Sequence, residues 1–347
     1  MKIIIHGATN GSNFGDCLFA HLFYEAFSEC GIVDFLHMPI FGICDYLTRE
    51  IPFYKSAIEN YKDADCLIYM SGGYFGDTEG NWKEALTRYF RYFRIAKYFI
   101  KSNKPIYVCG IGGGPVKNSF LRKTIVRILN EAKFVSVRDE ETAAYFRDHG
   151  VVNSIIVTTD SALSIKNRKL PKFELCKTTV KKKNLFFHVY GDDKNNQELI
   201  LKILPALNRF IDEHPNEYQV FVGTDYVCKS KICELEIYKK LDGDKVAVDY
   251  LSTWNFCSLI QQMNSVITVK LHVGIVSSLY GKSVISFPKH ANKTKRFYKQ
   301  IGYSDRCKLL KDCDENEIYS MINRYIDIPI EIDSTIVEKA RCNLHPF

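Results

Sequence analysis

The sequence predicts an α/β fold in which two Rossmann-like domains each contain a parallel sheet. Short apolar runs alternate with longer helical patterns, which is the signature of βαβ units. The length of 347 residues exceeds what one hydrophobic core usually holds, so two domains are expected. Polar turns with Gly, Asp or His follow several of the apolar runs, at the strand ends where an open parallel sheet binds its ligands.

The order of the predicted elements divides the chain into four parts. The first domain covers 1–170, with strands expected at 3–6, 33–38, 65–70, 106–109, 134–137 and 155–157. A lysine-rich stretch of weak periodicity, 171–183, is expected to be a linker. Alternation resumes in a second domain over 184–315, and the tail 316–347 is expected to be partly helical and to pack back on the first domain. A ligand cleft is expected between the two domains.

Composition favours a reduced, cytoplasmic protein with an anionic ligand. The net charge of +7 is a mild excess that suits a phosphorylated or acidic ligand, and no signature of nucleic-acid binding is present. The twelve cysteines are scattered without a Cys-x-x-Cys pair, so a disulfide framework is not expected. The first strand runs directly into a glycine turn, which argues against a signal peptide. No run of about 18 apolar residues predicts a membrane span.

The turn after the first strand carries Asn13 and Asp16 at the start of a predicted helix. Backbone amides at a helix start attract anions, and Asp16 suits an N-cap position. Contact with a substrate and a purely structural cap fit these residues equally well. The spacing of Gly7, Gly11 and Gly15 differs from the dinucleotide pattern G-x-G-x-x-G, which disfavours NAD.

Two further segments of the first domain are candidate ligand sites. The run from Gly110 to Pro115 is interpreted as a flexible turn in which Gly112 and Gly113 let a ligand or a neighbouring loop approach closely, and it lacks the Gly-Lys-Ser/Thr ending of a P-loop. The alternative is a tight turn used for packing. Arg138 follows a strand and could bind carboxylate or phosphate, or else pair structurally with Asp160.

In the second domain, Lys270 and His272 follow a predicted strand and precede a small, apolar segment typical of a buried helix. A lysine can hold an anion, and a histidine can exchange a proton near neutral pH. Function is favoured over a structural role for this histidine because of its position and its neighbour. No set of His, Cys, Asp or Glu has the spacing of metal ligands, so no metal is predicted.

A predicted helix carries basic residues about three apart beside an aromatic face: Arg88, Arg91, Arg94, Lys97 and Lys101. Such a stripe could contact anionic lipid as a peripheral membrane element. A core-facing helix with a solvated charged face is the favoured interpretation.

Together these pieces resemble the polysaccharide pyruvyltransferase family, in its motif order from Gly7 to about Tyr303. The matching segments are Asn13-Phe14-Gly15-Asp16, Ser71-Gly72-Gly73, Gly110-Ile111-Gly112, Val135-Ser136-Val137-Arg138-Asp139, Thr159-Asp160-Ser161-Ala162 and Leu271-His272.

The resemblance implies a GT-B-type arrangement of two domains around an interdomain cleft. It further implies transfer of the pyruvyl unit of phosphoenolpyruvate onto two hydroxyls of a sugar in a capsular, exopolysaccharide or cell-wall polysaccharide or its lipid-linked precursor, which yields a pyruvate ketal. No cofactor is implied, since phosphoenolpyruvate is a co-substrate.

The same resemblance distributes roles over the candidate residues. His272 is the expected general acid, and Asp16 is a weaker candidate for the base. Donor contacts fall on Arg138, Lys270, Gly112 and Gly113, and acceptor contacts on Asn13, Asp16, Gly72 and Gly73.

Lys270 departs from the family, which usually has arginine at this position. Lysine keeps the charge but loses the bidentate fork, so the donor contact could be weaker or the donor different. Two alternatives therefore stay open. One is a GT-B nucleotide-sugar glycosyltransferase, although the late segment from Ser286 to Lys293 is basic rather than acidic. The other is a non-catalytic polysaccharide-binding relative.

Overall fold

The computed structural model describes residues 1–8, 13–36, 61–76, 79–174, 182–289 and 291–347. Contacts between Cα atoms divide the chain into two compact units. The first unit comprises Met1–Ser164 together with Ser334–Phe347, and the second unit comprises Ile165–Asp333. Each contains one parallel sheet, so the predicted α/β class with two Rossmann-like parts is confirmed.

Among its described residues, the first unit has a sheet of seven parallel strands in the order β2-β1-β3-β5-β6-β7, with β4 paired to β5. Its strands are β1 (Lys2–His6), β2 (Ile32–Leu36), β3 (Cys66–Tyr69), β4 (Gly72–Phe75), β5 (Ile106–Gly113), β6 (Phe134–Val137) and β7 (Ile156–Val157). Its helices are α1 (Phe14–Ser28), α2 (Trp82–Arg88), α3 (Ala96–Lys101), α4 (Ser119–Glu131), α5 (Glu140–Asp148) and α12 (Ser334–Arg341). The strand order reverses between β1 and β3, as in flavodoxin-like folds.

Two predicted turns of this unit are strands. Ser71-Gly72-Gly73 leads into β4, which pairs with the second half of β5 while β3 pairs with the first half. The glycine run does not form a flexible turn before Gly113, because β5 extends to that residue and is buried throughout. The interpretation of Gly112 and Gly113 as turn residues was therefore wrong. The chain leaves the strand at Gly114, which has a positive φ of 59°, while the positive φ of 62° at Gly110 marks an irregularity within β5.

In the second unit, the part that the structure describes has five parallel strands in the order β10-β9-β8-β11-β12. They are β8 (Lys183–His188), β9 (Tyr218–Gly223), β10 (Lys245–Val248), β11 (Ser265–Thr268) and β12 (Ser283–Ser286). The helices are α6 (Asp193–Glu213), α7 (Glu236–Lys239), α8 (Thr253–Gln261), α9 (Leu271–Leu279), α10 (Ala291–Gln300) and α11 (Glu315–Tyr325). Counted from β8 as the first strand, this order is 3-2-1-4-5, which is the order of the first five strands of the Rossmann fold. It reverses between β8 and β11.

Side-chain alternation along β8 explains how the second unit separates its core from its polar residues. Leu185 and Phe187 belong to the core cluster that includes α6 and α11. Phe186 and His188 alternate with them and therefore lie on the opposite face of the sheet. There Phe186 contacts Phe256 of α8, with ring centroids 5.8 Å apart.

The tail is shared by the two units, which differs from the predicted single segment. Helix α11 packs on α6 of the second unit, whereas α12 and the residues after it belong to the first unit. Asn343 binds the end of the chain to the first unit. Its amide oxygen accepts hydrogen bonds from Ser136 and Thr158, and its amide nitrogen donates to the Thr159 carbonyl. Of the predicted linker 171–183, residues 175–181 lie outside the described residues. The Pro171 carbonyl accepts a hydrogen bond from Ser258 of α8, and the Phe173 carbonyl accepts one from Gln262, just after α8.

None of the described cysteines forms a disulfide. Over the ranges that the structure covers, no helix combines the length and the apolarity that crossing a bilayer requires.

Candidate active site

The strand-order reversal of the second unit is the place where this fold binds ligands, and Lys270 lies there. It follows β11 and is the N-cap residue of α9, with no side-chain cap at this helix start. Its backbone amide donates to Thr268 Oγ1 over 3.0 Å. His272 stands in the first turn of α9, and both side chains are half-buried. The rest of α9, from Val273 onward, is buried as predicted.

A buried acid–base pair lies at the same sheet edge. His188 ends β8 and is fully buried, and its Nε2 is 3.4 Å from Asp225 Oδ1, near the long limit for a hydrogen bond. Burial alone would raise the pKa of Asp225. The contact with His188 and the positive charge of Lys270 outweigh burial, so the pKa of Asp225 lies below its ordinary value.

Tyr190 joins this pair to two lysines. The Lys270 ammonium is 5.5 Å from the centre of the Tyr190 ring, and the Lys289 ammonium is 4.9 Å from it. Burial raises the pKa of the Tyr190 phenol, with help from the negative charge of Asp225, so the phenol is neutral. Lys289 Nζ also donates to the Asn195 carbonyl over 3.2 Å and lies 3.9 Å from Glu198 Oε2. The arrangement places two cations around one aromatic ring, which suits an anion.

Sequence reasoning missed His188, Tyr190, Asp225 and Lys289 as members of this site. A signal existed, because His188 and Tyr190 interrupt an apolar strand at its carboxyl end with a spacing of two. Their partner Asp225 is 37 residues further on, and only the parallel register that pairs His188 with Gly223 brings it alongside.

In the first unit, Asn13 and Asp16 form one local motif after β1. Asn13, not Asp16, is the N-cap of α1, which corrects the predicted cap. Asn13 Oδ1 accepts from the Asp16 amide over 3.2 Å, and Asn13 Nδ2 donates to the Asp16 carboxylate. The structural cap is therefore present, and Asp16 stays half-exposed beside it. Thr9 to Ser12 of the predicted turn lie outside the described residues.

Two buried aromatic rings and a half-buried arginine lie near Asp16. The ring of Tyr74 stacks on Tyr92 at 4.8 Å, and burial raises the pKa of both phenols, with a smaller contribution from the Asp16 charge. Arg91 places its guanidinium carbon 5.1 Å from the centre of the Tyr92 ring. Arg91 and Tyr92 line a groove of about 550 Å³. The other residues of its lining are Glu79, Asn81, Lys83, Glu84, Thr87 and Arg88.

The backbone around Arg91 is a π-helix, Tyr89–Phe93, inserted between α2 and α3. Its widened turn is closed by the Arg94 amide, which donates to the Tyr89 carbonyl over 2.8 Å. Such insertions are frequent at functional sites because they turn a side chain away from the regular helical spacing. The sequence predicted Arg91 only as a member of a basic stripe and not as a neighbour of this groove.

Arg138 forms the structural ion pair that was the alternative to a ligand contact. It is 6% exposed, its Nη1 is 3.1 Å from Asp160 Oδ2, and its Nε is 3.8 Å from Asp139 Oδ2. Donor binding by Arg138 stays a prediction.

Gly112 and Gly113 are packing glycines. A Cβ at Gly112 would lie 2.4 Å from Arg138 Nε, and one at Gly113 would lie 2.7 Å from Phe146 and from the Phe75 carbonyl. Groups of the same unit thus approach them closely, which agrees with the packing role in the alternative interpretation, although both glycines lie in a strand and not in a turn. Gly72 and Gly73 belong to β4 rather than to an open turn, and their predicted acceptor contact stays a prediction.

The predicted site residues therefore fall into two groups. Lys270 and His272 lie together in the second unit, and all the others lie in the first. Both groups fall inside residues 13–289, over which the sequence matches the family model of polysaccharide pyruvyl transferases.

The chain belongs to the polysaccharide pyruvyl transferase family.

The protein is thus a transferase, and solved structures place its fold among GT-B proteins. It is similar to Staphylococcus aureus MnaA with UDP (TM-score 0.64, 13% identity, 100% of this chain and 92% of the other covered). It is also similar to the Methanocaldococcus jannaschii UDP-GlcNAc 2-epimerase (0.61, 11%, 99% and 98%) and to Acinetobacter baumannii MurG (0.52, 10%, 99% and 95%). No curated protein matches this transferase by sequence.

Proposed function

We propose that this transferase moves the pyruvyl unit of phosphoenolpyruvate onto two hydroxyls of a sugar in a cell-surface polysaccharide or its precursor. The observation that carries the proposal is the pair of ammonium groups, Lys270 and Lys289, around Tyr190 at the strand-order reversal of the second unit. Phosphoenolpyruvate carries a phosphate and a carboxylate, so two cations at one site match its charge.

The reaction assigns a proton donor and a proton acceptor. His272 gives a proton to C3 of the enol, which leaves C2 as an oxocarbenium-like electrophile. One sugar hydroxyl adds to C2, and its proton passes to a base, for which Asp16 is the candidate. The bond from C2 to the phosphate oxygen then breaks, the second hydroxyl closes the ring, and its proton leaves with the phosphate. The products are a cyclic ketal and inorganic phosphate.

The buried His188–Asp225 pair has a positioning role at the proposed donor site. Asp225 is ionised and attracts the Lys270 ammonium, and Glu198 Oε2 lies 3.9 Å from Lys289 Nζ, so a carboxylate accompanies each of the two lysines. His188 fills the space beside Asp225 and holds its carboxylate in position. We infer that these two residues position Lys270 rather than touch the donor.

We infer that the acceptor binds in the first unit, near Asp16. Support comes from the groove lined by Arg91 and Tyr92, whose polar and aromatic rim suits a sugar. A lipid-linked oligosaccharide is the proposed form of the acceptor.

A second candidate is a nucleotide-sugar glycosyltransferase. It is favoured by the likeness to MnaA, solved with UDP, and to the epimerase, solved with UDP-GlcNAc and UDP. In both candidates the same basic residues of the second unit would hold the phosphate.

A ligand-dependent shift in melting temperature separates the candidates, because a ligand that binds only the folded state raises its stability. Phosphoenolpyruvate is compared with a panel of UDP-sugars. A shift with phosphoenolpyruvate alone supports pyruvyl transfer, and a shift with a UDP-sugar alone overturns it. No shift with any ligand, together with no turnover, favours a non-catalytic relative.

The variant His272→Ala tests the assigned chemistry. Phosphate release from phosphoenolpyruvate, measured with oligosaccharide acceptors, should fall at least about a hundredfold while the melting shift with phosphoenolpyruvate remains. His149→Ala, the same change at an exposed histidine of the first unit, is the control. Unchanged phosphate release in His272→Ala would remove this residue from the reaction.

A further inference from the structure

The segment from α2 to α3 exposes a row of large apolar side chains. Trp82 is 60% exposed, Leu86 44% and Phe90 40%. They are four residues apart, so they lie along one face of the helical segment. We call these three residues the apolar stripe. Contiguous exposed apolar surface of this kind marks an interaction site in a soluble domain.

The exposed charged residues of the segment that carries the apolar stripe are all basic, and the exposed acidic Glu79 lies three residues before Trp82. Within 82–101 they are Lys83, Arg94, Lys97 and Lys101. The one acidic residue of this stretch, Glu84, is engaged at the helix start: its carboxylate accepts from the amides of Glu79 and Gly80 and from Arg88 Nε. Its negative charge is therefore compensated locally, and the exposed face is positive.

Helix α4 extends the same surface. The ring of Phe120 lies 5.8 Å from that of Trp82, and the exposed Lys123 and Arg127 follow Phe120 at helical spacing. The apolar stripe is therefore bordered by basic residues of two helices.

Arg94, Lys97 and Lys101 of the predicted basic stripe belong to this border, whereas Arg88 and Arg91 do not. Arg88 pairs with Glu84, and Arg91 lines the groove beside Tyr92. The π-helix separates them from Arg94 and Lys97, which are exposed. The favoured expectation of a plain solvated face also did not include exposed Trp82, Leu86 and Phe90.

We propose that the apolar stripe and its basic border dock this transferase on an anionic lipid surface. Tryptophan and phenylalanine settle in the headgroup region of a bilayer, and lysine and arginine beside them are attracted to anionic lipids. A second copy of the chain is a poorer partner, because a symmetric contact would set like charges against each other. The proposal rests on these exposed side chains and not on the reaction proposed above.

The sequence offers a direct optical test, because its only tryptophans are Trp82 and Trp254. The variant Trp254→Phe leaves Trp82 as the sole tryptophan. It is mixed with vesicles of phosphatidylcholine alone or of phosphatidylcholine with 30% phosphatidylglycerol, and co-sedimentation of the unmodified protein is measured in parallel. We expect a blue shift of Trp82 emission and sedimentation with the anionic vesicles, both weakened by 0.5 M salt. Neither signal, or equal signals with neutral vesicles, would overturn the proposal.

Paired variants identify the surface. Trp82→Ser with Phe90→Ser should lower vesicle partitioning at least about tenfold. Arg94→Gln with Lys97→Gln should lower it by a similar factor, since each basic residue contributes roughly fivefold near an anionic surface. Leu201→Ser, at a 72% exposed leucine of the second unit, is the control.

Two further results would contradict lipid binding by the apolar stripe. Unchanged partitioning of the serine pair would overturn the proposal. So would a concentration-dependent dimer that the serine pair abolishes in the absence of lipid. The melting shift with phosphoenolpyruvate, measured on the same variants, should stay as in the parent, which separates this proposal from the proposed reaction.

Discussion

His188 Nε2 and Asp225 Oδ1 lie 3.4 Å apart at the carboxyl ends of two adjacent parallel strands, both residues buried. The contact with His188 helps to keep the Asp225 carboxylate ionised inside the second unit. The positive charge of Lys270 acts in the same direction. A buried charge persists only where its surroundings compensate it, so this pair is a determinant of both stability and charge at the candidate site.

The variant Asp225→Asn should therefore show a pH-dependent loss of stability. The folded-state pKa of Asp225 is lowered, so its ionised form stabilises the fold above the unfolded-state pKa of about 4, and that contribution is lost as the pH falls through the lower folded value. We expect a deficit of about 1–3 kcal/mol at pH 7 that shrinks toward pH 3, measured by denaturant unfolding. An equal deficit at both pH values, or an identical effect of Asp242→Asn at an exposed site, would contradict this interpretation.

Substitutions of Lys270 should separate charge from geometry at the donor site. Lys270→Met removes the cation beside Tyr190 and should weaken phosphoenolpyruvate binding at least about tenfold. Lys270→Arg, which restores the residue usual in the family, should bind within a few-fold of the parent or better. Calorimetric titration measures both, with Lys239→Met at an exposed lysine as the control. Binding that is insensitive to Lys270→Met would remove this lysine from the donor site.

His6 should make the first unit sensitive to mild acid. Burial lowers the pKa of His6 from 6.5 to about 4, and its Nδ1 contacts the Leu36 carbonyl over 3.1 Å. Between those pH values the unfolded chain takes up a proton that the folded state refuses. Stability therefore falls as the pH drops from 6.5 to 4, by up to about 3 kcal/mol.

The variant His6→Asn keeps a donor for the Leu36 carbonyl but cannot titrate, so it should lose this slope. The slope is measured as the difference between the unfolding free energies at pH 7.5 and pH 4.5. The variant His149→Asn, at an exposed histidine, is the matched control. The same slope in His6→Asn and in the parent would refute the assignment.

The substitution Gly112→Ala tests whether this glycine serves packing. The added methyl would lie 2.4 Å from Arg138 Nε, a buried group held by Asp160, so the pair must shift. A cost of about 2–3 kcal/mol is expected as a lower melting temperature. Gly76→Ala is the matched control, because its nearest neighbours would be 3.5 Å away. Equal melting temperatures for the two variants would show that the Arg138 pair is easily rearranged.

Local features of the site were only partly predictable. The motif from Asn13 to Asp16 contains two good capping residues, and the sequence pattern does not say which of them precedes the first helical residue. Arg138 was compatible with a ligand contact and with an ion pair, and the choice depended on Asp160, which arrives on a different loop. Asn343 carried no recognisable signal, since its partners Ser136, Thr158 and Thr159 are nearly two hundred residues away.

The sequence by itself determined the alternation of strands and helices, the placement of polar residues at strand ends, and the family motifs, because periodicity and capping are properties of neighbouring residues. Only the tertiary structure decided the two strand orders, the extension of β5 through its glycines, the partner of His188 and the exposure of Trp82. Each of these depends on contacts between residues far apart in the chain. Hydrophobic burial selects which faces pack together, and that selection decides which polar groups meet.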